Sequence, residues 1–306
     1  MSNSTQGRRA LITGATGFIG TNLIRRMLAD GWQISVVIQK GLSAEPLGDD
    51  ARRVQLFDLD GTTEQLKGIV AEAKPDVVFH LASLFLASHT SEQIVPLIES
   101  NVLFGTQLLE AMTANGVSRI INVGTFWQHF ESRDFDPVNL YAATKQAFES
   151  VLAYYVNARN VRALTLKLYD TYGVGDPRKK LIAILGEAAA SKSELAMSPG
   201  EQLLSLVYVD DVVEAFVVAA NRLLKGAACP NESFAVRANE LISVKDFVAL
   251  YSRVSGKEIP VKFGGRPYRE REVMVPWLLP TLPGWTPKVT LEEGIKRVTT
   301  VGKNQC

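Results

Sequence analysis

Residues 12–20 read Ile-Thr-Gly-Ala-Thr-Gly-Phe-Ile-Gly, and this stretch decides the fold. A strand-like apolar run precedes it and a helix-like amphipathic run follows it, so Gly14, Gly17 and Gly20 lie in a strand-to-helix turn. Glycine lets the backbone turn sharply and lets a pyrophosphate approach, while the N–H groups at the helix start bind the phosphates. The spacing predicts a dinucleotide-binding turn. The alternative is a plain strand-to-helix connection.

Outward from this turn, the chain alternates short apolar runs with longer amphipathic ones. We predict strands over residues 9–13, 33–38, 54–57, 76–81, 117–123 and 161–168, and helices over 18–30, 62–73, 92–114 and 140–158. Such alternation is typical of a parallel sheet with helices on both faces. The predicted fold class is therefore α/β, a doubly wound parallel sheet of the Rossmann type with a smaller C-terminal α/β lobe.

The pattern changes after Tyr169. Helical runs follow over residues 180–190 and 210–224, a strand-like run covers 203–209, and the rest is short and rich in proline and glycine. We predict two domains, the first for dinucleotide binding and the second for substrate. Their boundaries are residues 1–168 plus about 203–236 for the first, and 169–202 plus 237–306 for the second.

Composition excludes several classes of protein. The 306 residues carry 33 Lys and Arg against 32 Asp and Glu, a net charge of +1, which argues against a nucleic-acid surface. Cys229 and Cys306 stand in no metal-ligand spacing, so we expect neither a metal site nor a disulfide framework. The polar start has no signal core, and the longest uncharged stretch, 77–91, is too short for a bilayer. We predict a cytoplasmic protein with no membrane partner.

The residues after the second predicted strand distinguish the cofactors. NAD enzymes usually place a carboxylate there for the adenosine ribose, whereas this chain has Gln39 and Lys40. Lys40 suits a 2′-phosphate, which predicts NADP (NADPH) rather than NAD; the alternative is a solvated loop lysine. Asp58 and Leu59, after the third strand, are expected beside the adenine, unless the aspartate only caps its loop.

Tyr141 and Lys145 are four residues apart in a predicted helix and share a face. A neighbouring ammonium favours the phenolate, so we expect the pKa of Tyr141 to be lowered and its side chain to exchange a proton near neutral pH. Thr125 follows a strand at the sheet edge where α/β proteins bind ligands, and its hydroxyl suits a sugar or carbonyl oxygen. The alternatives are a chance Tyr-x-x-x-Lys and an ordinary strand-end threonine.

Together these features resemble the extended short-chain dehydrogenase/reductase family, in its NAD(P)-dependent nucleotide-sugar epimerase/dehydratase branch. The further matches run in family order: residues 80–83 (HLAS), 101–102 (NV), 105–106 (GT), 172–173 (YG), 209–211 (VDD), 284–287 (GWTP) and 291–294 (LEEG). Within the branch, residues 124–129 (GTFWQH) and 139–145 (NLYAATK) resemble the CDP-abequose and CDP-paratose synthases, which reduce a 4-keto-deoxyhexose on a nucleotide.

The resemblance implies a set of site residues. The implied catalytic group is Thr125, Tyr141 and Lys145. The implied cofactor contacts are Gly14, Thr16, Gly17, Phe18, Ile19, Gly20, Gln39, Lys40, Asp58, Leu59, Leu81, Ala82, Ser83, Asn101, Tyr141, Lys145 and Leu168. The implied substrate contacts are Ser83, Thr125, Gln128, Asp170, Lys179, Arg269 and Glu272, with Arg269 at the substrate diphosphate and Glu272 at the nucleotide ribose. For Arg269, a solvated surface charge is the alternative.

Departures from the family pattern narrow the chemistry. Phe126 and Trp127 follow Thr125 where the family's 4,6-dehydratases carry an acid pair, which argues against dehydration. Asp170 stands where the family has an asparagine, and Leu204 where several UDP-sugar epimerases have an arginine. Thr125 and Tyr141 lie 16 positions apart, which predicts a reduced lid over the sugar.

The resemblance therefore leads us to expect NADPH-dependent reduction of the 4-keto group of a nucleotide-linked 6-deoxy or 3,6-dideoxy hexose, by a homodimer. One alternative is a nucleotide-sugar 4-epimerase that retains NAD. Another is a non-catalytic NADP-binding sensor on the same fold, since a fold alone does not establish an activity.

Overall fold

The structure, a computed structural model, describes residues 7–226 and 229–301. The strands are β1 (Arg9–Thr13), β2 (Gln33–Gln39), β3 (Gln55–Leu59), β4 (Val77–His80), β5 (Arg119–Thr125), β6 (Arg162–Leu168), β7 (Asp170–Tyr172), β8 (Leu195–Met197), β9 (Leu203–Leu204), β10 (Leu206–Tyr208), β11 (Asn231–Val236), β12 (Ile242–Ser243) and β13 (Val261–Phe263). The α-helices are α1 (Phe18–Ala29), α2 (Thr63–Ala73), α3 (Ile94–Ile98), α4 (Phe104–Ala114), α5 (Leu140–Arg159), α6 (Leu181–Ser191), α7 (Val209–Leu224), α8 (Val244–Ser255) and α9 (Leu291–Val301).

The central sheet has seven strands in the order β11-β6-β5-β4-β1-β2-β3, and all its pairs are parallel. The order reverses between β1 and β4, which creates the crevice where open α/β sheets bind their ligands. The other strands form two-stranded sheets, β10-β7, β12-β9 and β13-β8. The predicted doubly wound parallel sheet is confirmed.

Successive residues of a strand point to opposite sides of the sheet. Helices cover both sides, so both faces are buried. In β1, Leu11 joins the apolar core that contains residues of α2, α4 and α5. Its neighbours Ala10 and Ile12 join the opposite core, which contains residues of α1, α7 and α8. The strands therefore read as continuous apolar runs, and their carboxyl ends provide the edge left for polar chemistry.

The helix predicted over residues 92–114 is less regular than its pattern suggests. A 3₁₀ turn (Ser91–Gln93), α3, a π-helical turn (Glu99–Leu103) and α4 follow one another. Pro96 removes one backbone donor from the α-helical ladder. The π turn contains the buried side chain of Asn101, whose contacts are described below.

The strand predicted over residues 203–209 is split. Its first part, β9, pairs with β12, and its second part, β10, pairs with β7. Between them Ser205 is fully buried and accepts a hydrogen bond from the Ala238 N–H at 2.9 Å, while its carbonyl accepts one from the Asp170 N–H at 3.0 Å. These two contacts fix Ser205 between β9 and β10, and the chain changes its pairing partner at this residue.

Asp211, on α7, binds the segment that leads into the last helix, α9. Its carboxylate accepts hydrogen bonds from the Lys288 and Val289 N–H groups at 3.0 and 2.9 Å, and its carbonyl accepts one from Trp285 Nε1 at 2.8 Å. Gly294 then packs so closely that a Cβ atom there would lie 2.0 Å from Tyr172 Oη. Contacts on one acidic residue thus join two sequence motifs more than 70 positions apart.

β11 lies at one edge of the central sheet although it is distant in sequence, while β12, α8 and β13 belong to the C-terminal region. The division into a dinucleotide-binding domain and a substrate lobe at the stated boundaries stays a prediction. Over the described ranges, no helix is both long and apolar enough to cross a membrane. Cys229 is exposed, and Cys306 lies outside the described residues.

Candidate active site at the carboxyl edge of the sheet

The glycine turn forms the first wall of the site. Gly14 has φ +69°, and a Cβ atom there would lie 2.5 Å from the Ala82 backbone nitrogen, so only glycine allows β1 to lie this close to the chain after β4. A Cβ atom on Gly20 would lie 2.3 Å from the Gly14 carbonyl oxygen. Gly17 is the N-cap of α1, and no described side chain caps this helix start. Thr16 and Ile19 are half-buried beside it.

This turn fits a dinucleotide. The uncapped N–H groups at the start of α1 carry partial positive charge at the carboxyl edge, and the space that side chains would fill at residues 14 and 20 is occupied by backbone. The guanidinium of Arg178, which is paired with Asp176, lies 4.9 Å from the ring centroid of Phe18 beside this helix start. The residues present therefore suit a pyrophosphate.

The ends of β2 and β3 form the adenosine side. Gln39 and Lys40 are exposed, and the Lys40 N–H donates to the Leu59 carbonyl at 2.9 Å. Asp58 is exposed, whereas Leu59 is buried. Hydrogen bonds from Thr62, helped by the charge of Lys40, hold the pKa of the exposed Asp60 below its usual value. A carboxylate thus lies near Lys40, one position beyond the residues that the sequence singled out.

The chain after β4 leads into the centre of the site. His80 is fully buried, and its Nδ1 lies 2.9 Å from Thr13 Oγ1. The Leu81 N–H donates to the Thr13 carbonyl at 3.1 Å, and the Ala82 N–H donates to Thr13 Oγ1 at 3.3 Å. Burial, together with the charge of Lys145, lowers the pKa of His80 to about 3, so this imidazole is neutral at physiological pH.

Asn101, in the π turn, lies against the chain after β4. It is 1% exposed, and its side chain accepts from Ser83 Oγ at 3.1 Å and from the Leu84 N–H at 2.7 Å. Its Nδ2 donates to the Leu84 carbonyl at 3.0 Å and to Thr144 Oγ1 at 2.9 Å. These contacts join the loop after β4 to α5, and the cofactor contact of Asn101 stays a prediction.

Tyr141 and Lys145 lie in the first turns of α5. The N-cap of this helix is Asn139, whose Oδ1 accepts from the Ala142 N–H at 2.9 Å. Lys145 is 1% exposed, and burial lowers its pKa to about 8, with Lys167 lowering it further and Glu149 opposing the shift. The helix predicted over residues 140–158 is present as α5.

The pKa of Tyr141 moves opposite to the expected direction. Burial raises it to about 12, against smaller lowering effects from a hydrogen bond with Ser83 and from the charge of Arg178. The expectation of a lowered pKa is wrong for this structure, because loss of solvent around the phenol outweighs the hydrogen bond with Ser83 and the charge of Arg178. Tyr141 is therefore a neutral phenol at pH 7, which has a proton to donate.

Thr125 ends β5, next to Leu168 at the end of β6. Its Oγ1 accepts from the Trp127 N–H at 3.3 Å, which leaves its own hydroxyl proton available to an acceptor. The Thr125 N–H donates to Gln128 Oε1 at 2.9 Å. Gln128 is fully buried, and its Nε2 donates to Gln146 and Glu149. Its amide thus faces inward beneath Thr125, and the substrate contact of Gln128 stays a prediction.

Aromatic side chains extend from Tyr141 along this edge. We call the half-exposed Phe85 and the half-buried Trp127 the aromatic surface, and Phe126 and Tyr169 lie buried behind it. The Phe85 ring is edge-on to Tyr141 with centroids 4.9 Å apart, and lies 5.7 Å from Trp127. Phe126 stacks on Tyr169 at 4.7 Å. Phe85 is 50% exposed, and nothing in its local sequence marked it as a site residue.

A cationic group faces the site from the other side. Burial raises the pKa of Asp170, against the opposing charges of Lys180, Arg178 and Arg269, in that order. Arg269 thus acts on the Asp170 carboxyl electrostatically, with the smallest effect of the three. The strongest of these charges on Asp170 is that of Lys180, whose Nζ lies 3.5 Å from the Thr171 carbonyl. Lys179, the predicted substrate contact, is exposed.

Glu272 is half-buried and turns back onto its own loop, where its Oε2 accepts from the Arg269 N–H at 3.4 Å. Arg178 is held by Asp176, with its Nε and one terminal nitrogen each 2.7 Å from a carboxylate oxygen. Its guanidinium also donates to the Thr171 carbonyl at 3.1 Å. The loop after β7 thus presents an oriented arginine between the glycine turn and Tyr141.

Comparison with known proteins agrees with this geometry. Residues 10–229 match the NAD dependent epimerase/dehydratase family. The chain is 28% identical over 271 residues to a CDP-abequose synthase of Yersinia pseudotuberculosis, covering 88% of this chain and 91% of that protein. It is 30% identical over 326 residues to a UDP-glucose 4-epimerase of Mycolicibacterium smegmatis, covering 97% and 99%.

Among solved structures, the Thermus thermophilus UDP-glucose 4-epimerase in complex with NAD superposes with a TM-score of 0.81 at 24% identity, covering 97% of this chain and 100% of that one. This likeness shows the fold. With the family match over most of the chain, the glycine turn and the Tyr141–Lys145 helix, the protein is an NAD(P)-dependent enzyme of the oxidoreductase type and belongs to the NAD dependent epimerase/dehydratase family.

Proposed function

We propose that this enzyme uses NADPH to reduce the 4-keto group of a nucleotide-linked 6-deoxy or 3,6-dideoxy hexose. The observation that carries the proposal is the placement of the Tyr141 phenol, in the first turn of α5, at the same sheet edge as the Thr125 hydroxyl, which ends β5. A reductase needs such a proton donor for the oxygen that becomes a hydroxyl. The CDP-abequose synthase and the UDP-glucose 4-epimerase described above are also both named for a nucleotide sugar.

Tyr141, Thr125 and Lys145 have separate roles in the proposed reduction. A bound nicotinamide cofactor supplies the hydride that the sugar carbon receives. Tyr141 Oη donates its proton to the carbonyl oxygen as the C=O bond becomes a C–OH bond. Thr125 donates a hydrogen bond to the same oxygen, because its Oγ1 already accepts from Trp127. The Lys145 ammonium, charged below its pKa of about 8, stabilises the tyrosinate that remains.

The aromatic surface supports a deoxygenated sugar. The half-exposed Phe85 ring presents carbon atoms beside Tyr141, where a sugar methyl or methylene group would be buried favourably. A hydroxyl pressed against the same ring would lose its water partner at a cost of about 1–3 kcal/mol. We place the C6 or C3 edge of the sugar against Phe85 and Trp127.

The diphosphate of the substrate is assigned to Arg269, Lys180 and Arg178, which together surround Asp170. These three cations face two carboxylates, Asp170 and Asp176, and the remaining positive charge favours an anion. Lys179, Asp170 and Glu272 stay predicted contacts of the nucleotide. For the cofactor we propose NADPH over NAD, since Gln39 and Lys40 occupy the end of β2.

We also propose a cytoplasmic homodimer. Side chains exposed by 41–61% form an apolar face on α3 and the adjoining π turn: Ile94, Val95, Ile98 and Leu103. Tyr154 on α5 is 52% exposed. A mass of twice 33.5 kDa in analytical ultracentrifugation, reduced to a single chain by Val95→Glu, is the expected result.

The test of the function is turnover. Purified enzyme is mixed with NADPH and a panel of CDP- and dTDP-linked 4-keto-6-deoxy and 4-keto-3,6-dideoxy hexoses, and NADPH absorbance and the new C4 proton are followed. Consumption of NADPH with a new C4–H is expected. A specific observation favours one rival, since a UDP-glucose 4-epimerase is 30% identical to this chain. Interconversion of UDP-glucose and UDP-galactose with retained cofactor, and no NADPH consumption, would support that rival instead.

A further inference from the structure

A buried ion pair lies behind the proposed catalytic group. Lys167 Nζ, on β6, is 2.8 Å from both Glu149 Oε1 and Glu149 Oε2, on α5. The two side chains are 3% and 17% exposed. Taking two charges out of water is costly, and a buried pair is often no more stabilising than apolar residues of equal size. Stability alone is therefore a weak explanation of this pair.

The pair is connected to Thr125 by hydrogen bonds. Glu149 Oε1 accepts from Gln128 Nε2 at 3.0 Å, and Gln128 Oε1 accepts from the Thr125 N–H at 2.9 Å. Gln128 Nε2 also donates to Gln146 Oε1 at 2.9 Å. Every polar atom of the Gln128 amide is thus used in a fully buried position. A change at Glu149 is transmitted through one side chain to the backbone of Thr125.

The pair also faces Lys145. Glu149 lies one helical turn beyond Lys145 on α5, and both Glu149 and Lys167 act electrostatically on its ammonium, with opposite signs. His80, from β4, is neutral and feels the charge of Lys145. His129, after β5, is the other titratable group that feels Lys167 and Glu149. The charge balance around Lys145 is therefore set mainly by Glu149 and Lys167.

We propose that Glu149 and Lys167 are positioning residues of the active site, in which a carboxylate held by Lys167 fixes Thr125 through Gln128 and balances the charge behind Lys145. The proposal rests on the roles proposed above for Thr125, Tyr141 and Lys145. Neither residue touches the reacting atoms. Their effect is on where Thr125 lies and on the pH range over which Lys145 stays charged.

Removing the charge of Glu149 and removing the charge of Lys167 should shift the pKa of Lys145 in opposite directions. Glu149→Gln leaves two buried ammonium groups close together, so the pKa of Lys145 should fall, and the basic limb of the kcat/KM profile should move down by about one pH unit. Lys167→Met leaves Glu149 to act on Lys145 alone, so the same limb should move up by about one unit. Lys167→Arg, which keeps the charge, should restore the wild-type limb.

Displacement of Thr125 should appear in turnover. We expect kcat to fall about 10- to 100-fold in both charge variants, as for a misplaced catalytic group. The KM for NADPH should change less than kcat. The matched controls are Glu64→Gln and Lys67→Met, which change an exposed pair on α2 whose atoms lie 2.7 Å apart, and these should leave the profile unchanged.

A substrate-free measurement separates this proposal from the proposed function. Lysine labelled with ¹³C at Cε reports the titration of Lys145 by NMR, with Lys145→Met giving the assignment. Opposite shifts in Glu149→Gln and Lys167→Met without turnover of any keto sugar would overturn the function and keep the positioning role. Shifts of the same sign, or none, would overturn the positioning role whatever the turnover. Should a single variant fail to fold, the charge-neutral double variant Glu149→Gln/Lys167→Met replaces it, and a Lys145 titration near the wild-type value is expected.

Discussion

Tyr141 shows how burial and charge compete at a single residue. A lysine one turn away suggests an acidic phenol, yet the pKa of Tyr141 is raised to about 12 because removal of water outweighs the effects of Ser83 and Arg178. In the direction of reduction this is useful, since the group must begin protonated. Lys145, whose pKa is lowered to about 8, is the group whose loss of charge should end activity at high pH.

The prediction at this scale is Tyr141→Phe. The ring and its contact with Phe85 remain, but the proton donor is lost, so turnover should fall by about 10²–10⁴-fold. NADPH binding, followed by fluorescence, should stay near the wild-type value. Tyr154→Phe, on the exposed side of the same helix, is the control and should be active. Turnover of Tyr141→Phe within threefold of wild type would remove Tyr141 from the mechanism.

At the scale of elements, function depends on the loops that follow strands. The end of β2 offers Lys40, and hydrogen-bonded Asp60 lies near it after β3. The loop after β7 carries Arg178 and Lys180. The ends of β2 and β3 lie at the carboxyl edge of the central sheet, and β7 directly follows the end of β6 at that edge, so residues far apart in sequence lie on the same side of the molecule.

Lys40→Asp tests the cofactor side. It replaces a cation by a carboxylate beside Asp60, so a 2′-phosphate should be repelled and the KM for NADPH should rise about 10- to 100-fold, with NADH relatively favoured. Lys296→Asp, on the exposed surface of α9, is the control. Equal kcat/KM of the wild-type enzyme with both cofactors would contradict this interpretation of β2.

Arg269→Ala tests the substrate side. The structure places Lys180 and Arg178 around the same carboxylate, so the loss of one of three cations should raise the KM for the nucleotide sugar by about tenfold, or ~1.4 kcal/mol. The KM for NADPH should hardly change. Arg266→Ala, in the same exposed loop, is the control. An unchanged substrate KM in Arg269→Ala would assign the diphosphate to Lys180 and Arg178 alone.

At the scale of the whole molecule, the C-terminal segment is held by Asp211, which is 5% exposed. Asp211→Ala leaves the Lys288 and Val289 N–H groups without their acceptor, so the free energy of unfolding should fall by about 2–4 kcal/mol in urea titrations. Asp210→Ala is the matched control, because its 61% exposed carboxylate only pairs with Arg297 and should cost less than about 1 kcal/mol. Equal losses in the two variants would contradict the role of Asp211.

The sequence by itself determined the parallel sheet, the glycine turn and the helix that carries Tyr141 and Lys145. Each of these depends on short-range periodicity and on the steric needs of Gly14 and Gly20, which a linear pattern records. The sequence pattern was wrong in predicting one regular helix over residues 92–114 and one strand over 203–209. In each case a buried polar side chain, Asn101 or Ser205, lies where the element is interrupted.

Only the tertiary structure decided the rest of the candidate site. Glu149 meets Lys167 because β6 passes beneath α5, and Lys180 rather than Lys179 lies near Asp170 because of how the loop after β7 folds back. Gln128 faces inward for the same kind of reason. Such contacts join residues distant in the chain, and both the direction of a side chain and the loss of water around it depend on every element packed nearby. Local spacing carries no record of these, so the charge balance around Tyr141 and Lys145 could be determined only from the folded chain.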